Sequence, residues 1–422
     1  MEPASELIEA RVERIGSDGD GVACWRGKRV YLPFTAPGDQ VRAVLGGRRG
    51  DGHHARVIEL VVPGNRRACP VCRHFAECGG CALQHLEPHA YHEAKLASLQ
   101  AALARVGIDP QLIHPLRTTA PARRRARLGM FCPRDPRRPG IIGFRERFSH
   151  QLVDLRECPV LEAPLLAVAT ALRGLVARLL PPGGRAEAHL TRTDTGIDLL
   201  LTAVEHPGLD ALEALAGLAA ERDLARVLWR MPGNEIPIVE RRAVRVMRSG
   251  VAVPFPPGAF LQASEEAEKI LVGEVVAAIG LRRPVIDLYA GLGTFGFALA
   301  GSGPVHMVEG DEATFSALAC AARDAGAISV EYRDLARNPV APDALAKFTA
   351  AVFDPPRAGA FRQADALACS PLDTVVAVSC NPATFARDGA RLIAGGYRLE
   401  RLVPIDQFVW SPHLELVAVF RR

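Results

Sequence analysis

The sequence predicts an α/β protein in three parts: a small N-terminal β-barrel, a central α+β region and a C-terminal doubly wound, mostly parallel sheet. Three observations predict it. Residues 6–62 hold short apolar runs separated by Gly/Asp/Pro clusters, at the spacing of roughly 8–12 residues that suits a small barrel. From Ala263 onward strands and helices alternate regularly, the pattern of parallel strands joined by crossover helices. The length, 422 residues, gives a prior of about three domains.

The elements follow in order. The barrel runs are 8–15, 22–25, 29–34, 40–45 and 55–62, and Pro63-Gly64-Asn65 ends them. Residues 66–92 are Cys-rich and irregular. Residues 93–106 carry helical periodicity through Leu96, Leu99, Ala102, Leu103 and Val106. Strand-like runs at 127–131 and 141–144 lie in an Arg-rich stretch. Helices are then expected at 161–180 and 209–221, with strands at 197–203 and 225–230. The alternating part reads as helix 264–279, strand 284–288, a Gly-rich turn, strand 305–308, helix 312–325, and strands 329–332, 350–353 and 374–378. Helix 382–394 and strands 398–404 and 414–420 complete it. These patterns divide the chain at 1–62, 63–262 and 263–422.

Apolar residues make up 49% and charged residues 23% of the chain, which excludes a disordered chain or a fibre. No apolar run reaches the roughly 18 uncharged residues of a membrane span. The best stretch, 165–180, is broken by Arg173 and Arg178. The first residues lack the basic and apolar regions of a secretory signal. A soluble, cytoplasmic protein with no membrane partner is expected, and a monomer. The net charge of +4 is uneven: residues 1–62 are neutral, 63–158 carry +8 and 159–422 carry −4. All but 4 of the 51 basic residues are Arg, whose planar fork suits phosphates and bases.

In a doubly wound sheet, ligands bind beyond the carboxyl ends of the strands. The polar residues at those ends are Asp287, Glu309, Asp334, Asp354 and Cys380, which are expected to meet at one crevice. The first strand runs into Gly291-Leu-Gly293-Thr294-Phe-Gly296. Alone, this Gly-x-Gly-x-x-Gly turn is a weak dinucleotide signature. Three readings stay open: S-adenosylmethionine, NAD, or a turn without ligand. Asp287 ahead of the turn would repel a pyrophosphate. That favours S-adenosylmethionine, with its positive sulfonium, and places Glu309 on the ribose hydroxyls. Cys380 precedes a helix, whose N-terminus favours a thiolate nucleophile; the alternative is a small buried space-filler. Glu415 lies in an apolar strand, where a Glu is rarely buried without a purpose; the alternative is an outward-facing side chain.

Six segments of the last 165 residues carry a resemblance: Gly258-Ala-Phe260-Leu-Gln262, Asp287-Leu-Tyr289-Ala-Gly291-Leu-Gly293, Val308-Glu309-Gly310, Asp354-Pro-Pro-Arg-Ala-Gly359, Ser379-Cys380-Asn-Pro-Ala-Thr384 and His413-Leu-Glu415. In this order they resemble the RNA uridine-C5 methyltransferases of the RumA/TrmA type, specifically the iron–sulfur branch. Gly19-Asp-Gly-Val-Ala23 and the stretch Val30 to Asp39 resemble that family's OB-like TRAM barrel. The resemblance implies a class I methyltransferase (Rossmann-like) domain, a TRAM barrel and a central α+β iron–sulfur domain. It implies that Cys380 adds to uracil C6 and that Glu415 removes the C5 proton. It implies that Gln262, Tyr289, Thr294, Glu309, Asp334 and Asp354 contact S-adenosylmethionine. The product would be 5-methyluridine, in 23S ribosomal RNA by the habit of the iron–sulfur branch, with transfer RNA as the alternative. Tyr289, Thr294 and Ser264 depart from the family's common Phe, Asn and Asn. Arg357 stands where adenine-N6 methylases carry a base-stacking aromatic, which argues against that chemistry.

Cys69-x2-Cys72-x5-Cys78-Gly-Gly-Cys81 has two readings. Paired knuckles would bind zinc, but the loop of five is shorter than the roughly 15–20 residues of zinc ribbons. The other reading takes Cys72, Cys78 and Cys81 with distant Cys158 as ligands of a 4Fe–4S cluster, a spacing that resembles the family's, and leaves Cys69 over. Ten Arg lie in 117–147, interleaved with Phe131, Phe144 and Phe148. Arg with aromatics suits single-stranded RNA; a solvated charged face is the alternative. Two other functions remain open from the residues: an NAD(P)-dependent iron–sulfur oxidoreductase, and an RNA-binding protein with an inactive methylase domain. Intact Cys380, Glu415 and Asp354 count against the second.

Overall fold

The computed structural model describes residues 6–323 and 325–422. Strands Leu7–Arg11, Arg14–Ile15, Gly21–Trp25, Lys28–Leu32, Gln40–Arg49 and Gly52–Val62 form one six-stranded sheet. Leu7–Arg11 and Arg14–Ile15 are its two edges, although only two residues separate them along the chain. The sheet therefore curls round on itself. Ile8, Val12, Val30, Leu32 and Val41 fill its interior.

The central sheet runs in the order Asn234–Glu240, Leu224–Met231, Gly196–Ala203, Arg185–Thr193, Arg125–Phe131, Ile141–Gly143. Helices Ala163–Leu179 and Leu209–Glu221 bury Leu172, Val176 and Leu215 against Leu199 and Trp229. Two of these strands carry no clear sequence signal. Arg185–Thr193 buries two Ala, a Leu and two Thr among polar residues, and Asn234–Glu240 is an edge strand containing Pro237, where Pro is tolerated.

The C-terminal sheet has eight strands in the order Ile328–Tyr332, Val305–Glu309, Val285–Leu288, Ala350–Phe353, Thr374–Ser379, Glu415–Arg421, Arg398–Asp406, Arg117–Thr118. The first five are mutually parallel, and Glu415–Arg421 is antiparallel to both neighbours. Strand order reverses between Val285–Leu288 and Ala350–Phe353, which is where a crevice opens in such sheets. Helix Pro88–Arg105 starts earlier than its periodicity predicts, because Glu87 caps the N–H groups of His89 and Ala90 and Pro88 occupies the first turn. Its Leu99, Ala102 and Leu103 share a core with Ile286, Leu288, Phe385 and Phe420. Hairpin Arg245–Arg248/Val251–Pro254 gives Val246 and Val253 to the core on the sheet's other face. The stretch 63–262 is thus interleaved with the C-terminal sheet. Among the described residues no helix is long and apolar enough to cross a membrane.

Candidate active site

Asp287 is the third residue of strand Val285–Leu288 and is fully buried. Among the described residues neither of its carboxylate oxygens has a partner at hydrogen-bonding geometry, and the Gly296 N–H is the donor that acts on it most directly. The chain then turns sharply. Tyr289 adopts φ 63° and Gly293 φ 75°, and a Cβ on Gly293 would come within 2.4 Å of the Phe297 ring. Gly is required there on both counts. Gly291 N–H donates to Glu309 Oε2 at 2.8 Å, while Gly310 and Asp311 N–H groups donate to Glu309 Oε1 at 2.8 and 2.7 Å. Glu309, at the end of the next strand, is thereby locked against the turn. Thr294 lies half-buried in the turn. Asp334 follows strand Ile328–Tyr332 and is held by the Ala336 N–H at 3.0 Å; its charge acts on Tyr289.

Three carboxylates, Asp287, Glu309 and Asp354, gather at the switch point. None has a salt bridge among the described residues. Burial first, then Asp354, pushes Asp287 up to about 8, and burial pushes Asp354 up to about 7. Glu415 opens strand Glu415–Arg421, is 3% exposed, and is pushed up to about 8 by burial and by Asp354. Such a set rejects a pyrophosphate and welcomes a cation. S-adenosylmethionine, with a sulfonium and an ammonium, fits it; Asp287 offers two orphaned acceptors for such a ligand.

Ser379 pairs with Leu416 across antiparallel strands; Cys380 and Glu415 flank this pair, and the Glu415 charge acts on the Cys380 thiol. Burial, then Glu415 and Asp354, pushes the Cys380 thiol up to about 11. This corrects the thiolate expected from its place ahead of helix Pro382–Ala394. A helix N-terminus contributes at most about 1–2 kcal/mol, less than burial beside two carboxylates. Asn381 caps that helix through Ala383 N–H at 3.1 Å and donates from Nδ2 to Arg357 O at 3.0 Å. Cys380, Asn381 and Arg357 line a cleft of 460 Å³ whose opposite wall is the barrel, through Arg14, Arg29 and Tyr31.

A family described as tRNA (Uracil-5-)-methyltransferase matches residues 331–422. The chain is 39% identical to an uncharacterised RNA methyltransferase of Brucella suis over 99% of both chains. It is 35% identical to the 23S rRNA (uracil(1939)-C(5))-methyltransferase RlmD of Chromohalobacter salexigens, over 97% of this chain and 88% of that one. The chain belongs to the RNA uracil-C5 methyltransferase family. It shares its fold with the tRNA (uracil-54, C5)-methyltransferase of Pyrococcus abyssi, solved with S-adenosyl-L-homocysteine, at a TM-score of 0.74 and 24% identity over 98% of this chain and 99% of that one.

Two residues in and beside the candidate site escaped the sequence reading. Gln407, 3% exposed, donates from Nε2 to Gln262 Oε1 at 2.8 Å and to Glu415 Oε2 at 2.5 Å. It follows strand Arg398–Asp406 directly, so extending the search for polar strand ends to 406 would have found it. Lys95 sits fully buried in helix Pro88–Arg105, donating to Asp406 and to the carbonyls of Phe408 and His413. A Lys on the apolar stripe of that helix was the signal. Ser264, in place of the common Asn, caps helix Glu265–Ile279 through Ala267 N–H at 3.1 Å.

The Arg run does not form the exposed strip its charge suggests. Arg124 is 5% exposed and donates to Glu268 at 2.6 Å and to the Gln262 carbonyl at 3.1 Å. Arg125 donates to the Leu261 carbonyl at 2.8 Å. These two hold the segment carrying Gln262, because a buried guanidinium requires acceptors wherever the fold supplies them. Arg127 and Arg145 remain exposed, both paired with Glu187.

Cys72, Cys78, Cys81 and Cys158 line one cavity together with Arg123 and Gln84. Arg73 N–H on Glu157 Oε1 (2.7 Å) and Arg156 N–H on His74 Nε2 (3.1 Å) bring the two Cys segments together. Burial pushes all four thiols up, Cys81 to about 12. Cys69 is exposed and off the cavity lining. Among the described residues no three His, Cys, Asp or Glu converge to hold a single metal ion.

Proposed function

We propose that this protein forms 5-methyluridine in RNA by covalent addition of Cys380 to uracil C6. The observation that carries the reading is Cys380, directly after the Ser379–Leu416 strand pair, close enough to Glu415 and Asp354 for their charges to act on its thiol, beside three carboxylates that have no salt bridge among the described residues. S-adenosylmethionine, when bound, supplies the methyl group from its sulfonium. Gln262, Tyr289, Thr294, Glu309, Asp334 and Asp354 hold that cofactor. Its positive charge offsets the carboxylates that disfavour the thiolate, so Cys380 ionises in the loaded site. The Cys380 sulfur bonds to C6, and C5 becomes nucleophilic and takes the methyl group. Glu415 then removes the C5 proton, the C6–sulfur bond breaks, and the thiolate is restored. Splitting the transfer in this way replaces one difficult step by easier ones. The target base must leave its stack to reach Cys380, and the cleft between barrel and catalytic sheet gives it a route.

We take 23S ribosomal RNA as the substrate, on the strength of the full-length relative that acts on it. The NAD reading loses support, since the crevice repels a pyrophosphate. For Cys72, Cys78, Cys81 and Cys158 our reading is a 4Fe–4S cluster, supported by their spacing along the chain and by the four thiols lining one cavity. Methyl transfer needs no electron, so the cluster's role is structural. The curled N-terminal sheet acts as a TRAM-type RNA-binding barrel in a cytoplasmic, monomeric enzyme.

The test is incubation with labelled S-adenosylmethionine and separate ribosomal and transfer RNA from a strain lacking the gene. We expect 5-methyluridine in ribosomal RNA. Cys380→Ala abolishes the product and any adduct. Glu415→Gln accumulates a methylated protein–RNA adduct that survives denaturing gels. Methylation by Cys380→Ala overturns the covalent scheme, and product in transfer RNA alone overturns the ribosomal assignment.

A further inference from the structure

We infer that Gln407 is a positioning residue that aims Glu415 at the substrate proton and couples it to the cofactor side through Gln262. The inference rests on the proposed roles of Cys380 and Glu415. Its geometry leaves little freedom. The Ala263 N–H, which can only donate, meets Gln407 Oε1 at 3.0 Å. That contact turns Nε2 toward Gln262 Oε1 and Glu415 Oε2, and uses both amide hydrogens.

Two consequences follow for the partners. Glu415 Oε2 accepts from Gln407, which leaves Oε1, free of hydrogen bonds from the described residues, as the more basic oxygen for the proton. Gln262 Oε1 accepts from Gln407, which fixes which way the Gln262 amide is turned. One buried amide thus fixes the orientation of the base and of a cofactor contact from adjacent positions.

The charged form of Glu415 also depends on it. Glu415 faces Asp354 and Cys380, and burial and Asp354 both favour its neutral acid, whereas the hydrogen bond from Gln407 favours the carboxylate. Losing that bond raises the pH at which Glu415 becomes a base.

The experiment uses the full-length protein with its RNA. Gln407→Met keeps the side-chain length and removes the donor; Gln407→Glu keeps the contact with Ala263 N–H and sets an acceptor against two acceptors. In both, the acid limb of kcat should move to higher pH by about one unit, lowering kcat at neutral pH about tenfold and restoring it in alkali. The denaturation-resistant methylated adduct should build up at neutral pH. KM for S-adenosylmethionine should rise as Gln262 loses its partner. A merely structural role lowers the melting temperature without moving the pH profile. An unshifted profile and no adduct in either variant overturns the inference, provided Glu415→Gln still traps adduct. If Glu415→Gln traps none and turns over normally, the proposed base itself fails. Should Gln407→Met not fold, Gln407→Glu carries the same readouts.

Discussion

Lys95 Nζ donates to Asp406 Oδ1 at 2.5 Å with both side chains fully buried. Its other two hydrogens go to the carbonyls of Phe408 (3.0 Å) and His413 (2.7 Å), and Tyr91 OH donates to the other Asp406 oxygen. One ammonium therefore closes the loop between strand Arg398–Asp406 and strand Glu415–Arg421, the loop that presents Gln407 and leads into Glu415. Breaking a buried pair leaves an uncompensated charge, which costs about 3–5 kcal/mol. Lys95→Met should lose that much stability by urea titration, and adding Asp406→Leu should recover most of it. A loss below roughly 1 kcal/mol for the single variant would show that water reaches Asp406.

The acidic crevice makes stability depend on pH with a definite sign. Asp287, Asp354 and Glu415 are held at about 8, 7 and 8, all above their unfolded values. The fold then binds protons that the unfolded chain releases. Stability from these groups is fully present below about pH 4 and is lost as pH rises toward 8. Asp287→Asn should raise the ligand-free melting temperature at pH 8 by about 2–4 °C per kcal/mol relieved, and weaken S-adenosylmethionine binding. An equal melting temperature at pH 5 and pH 8 in the ligand-free protein would contradict the picture.

Purified without oxygen, the protein should be brown and carry iron and sulfide in about equal amounts, near four each per chain, as a 4Fe–4S cluster requires. Cys158→Ala should lose both, while Cys69→Ala, altering an exposed thiol, should keep both. One zinc per chain and no iron would assign the four thiols to a different centre.

The two kinds of Arg in the basic segment should separate in binding assays. Arg127→Ala with Arg145→Ala removes exposed charges, so RNA affinity should fall and the salt dependence flatten by about two counterions. Arg124→Ala instead takes from Glu268 one of its two guanidinium partners, leaving Arg248, and frees the Gln262 carbonyl; it should lower stability and S-adenosylmethionine affinity. Equal behaviour of both variants in the RNA assay would return Arg124 to the RNA surface.

The order of strands and helices in the C-terminal sheet was legible because periodicity is local. Strand Ala350–Phe353 and helix Pro382–Ala394 fall where the pattern puts them. Asp287, Asp354 and Cys380 could be named because a parallel sheet collects its strand ends at one edge, and Glu415 because it stands among apolar strand residues. The four cysteines could be grouped by spacing and resemblance. Partnership between charges is a different matter. Lys95 and Asp406 stand 311 residues apart, and Arg124 and Glu268 stand 144 apart; no window along the chain contains either pair. A run of Arg reads as one basic face until tertiary packing turns some guanidinium groups inward onto acceptors. The Cys380 thiol reads as a thiolate from its helix, yet burial and carboxylates from two other strands reverse its tendency. Local pattern determines which residues face a core, whereas desolvation and Coulomb terms act through space, so the ionisation and partners of those residues were decided only by the tertiary structure.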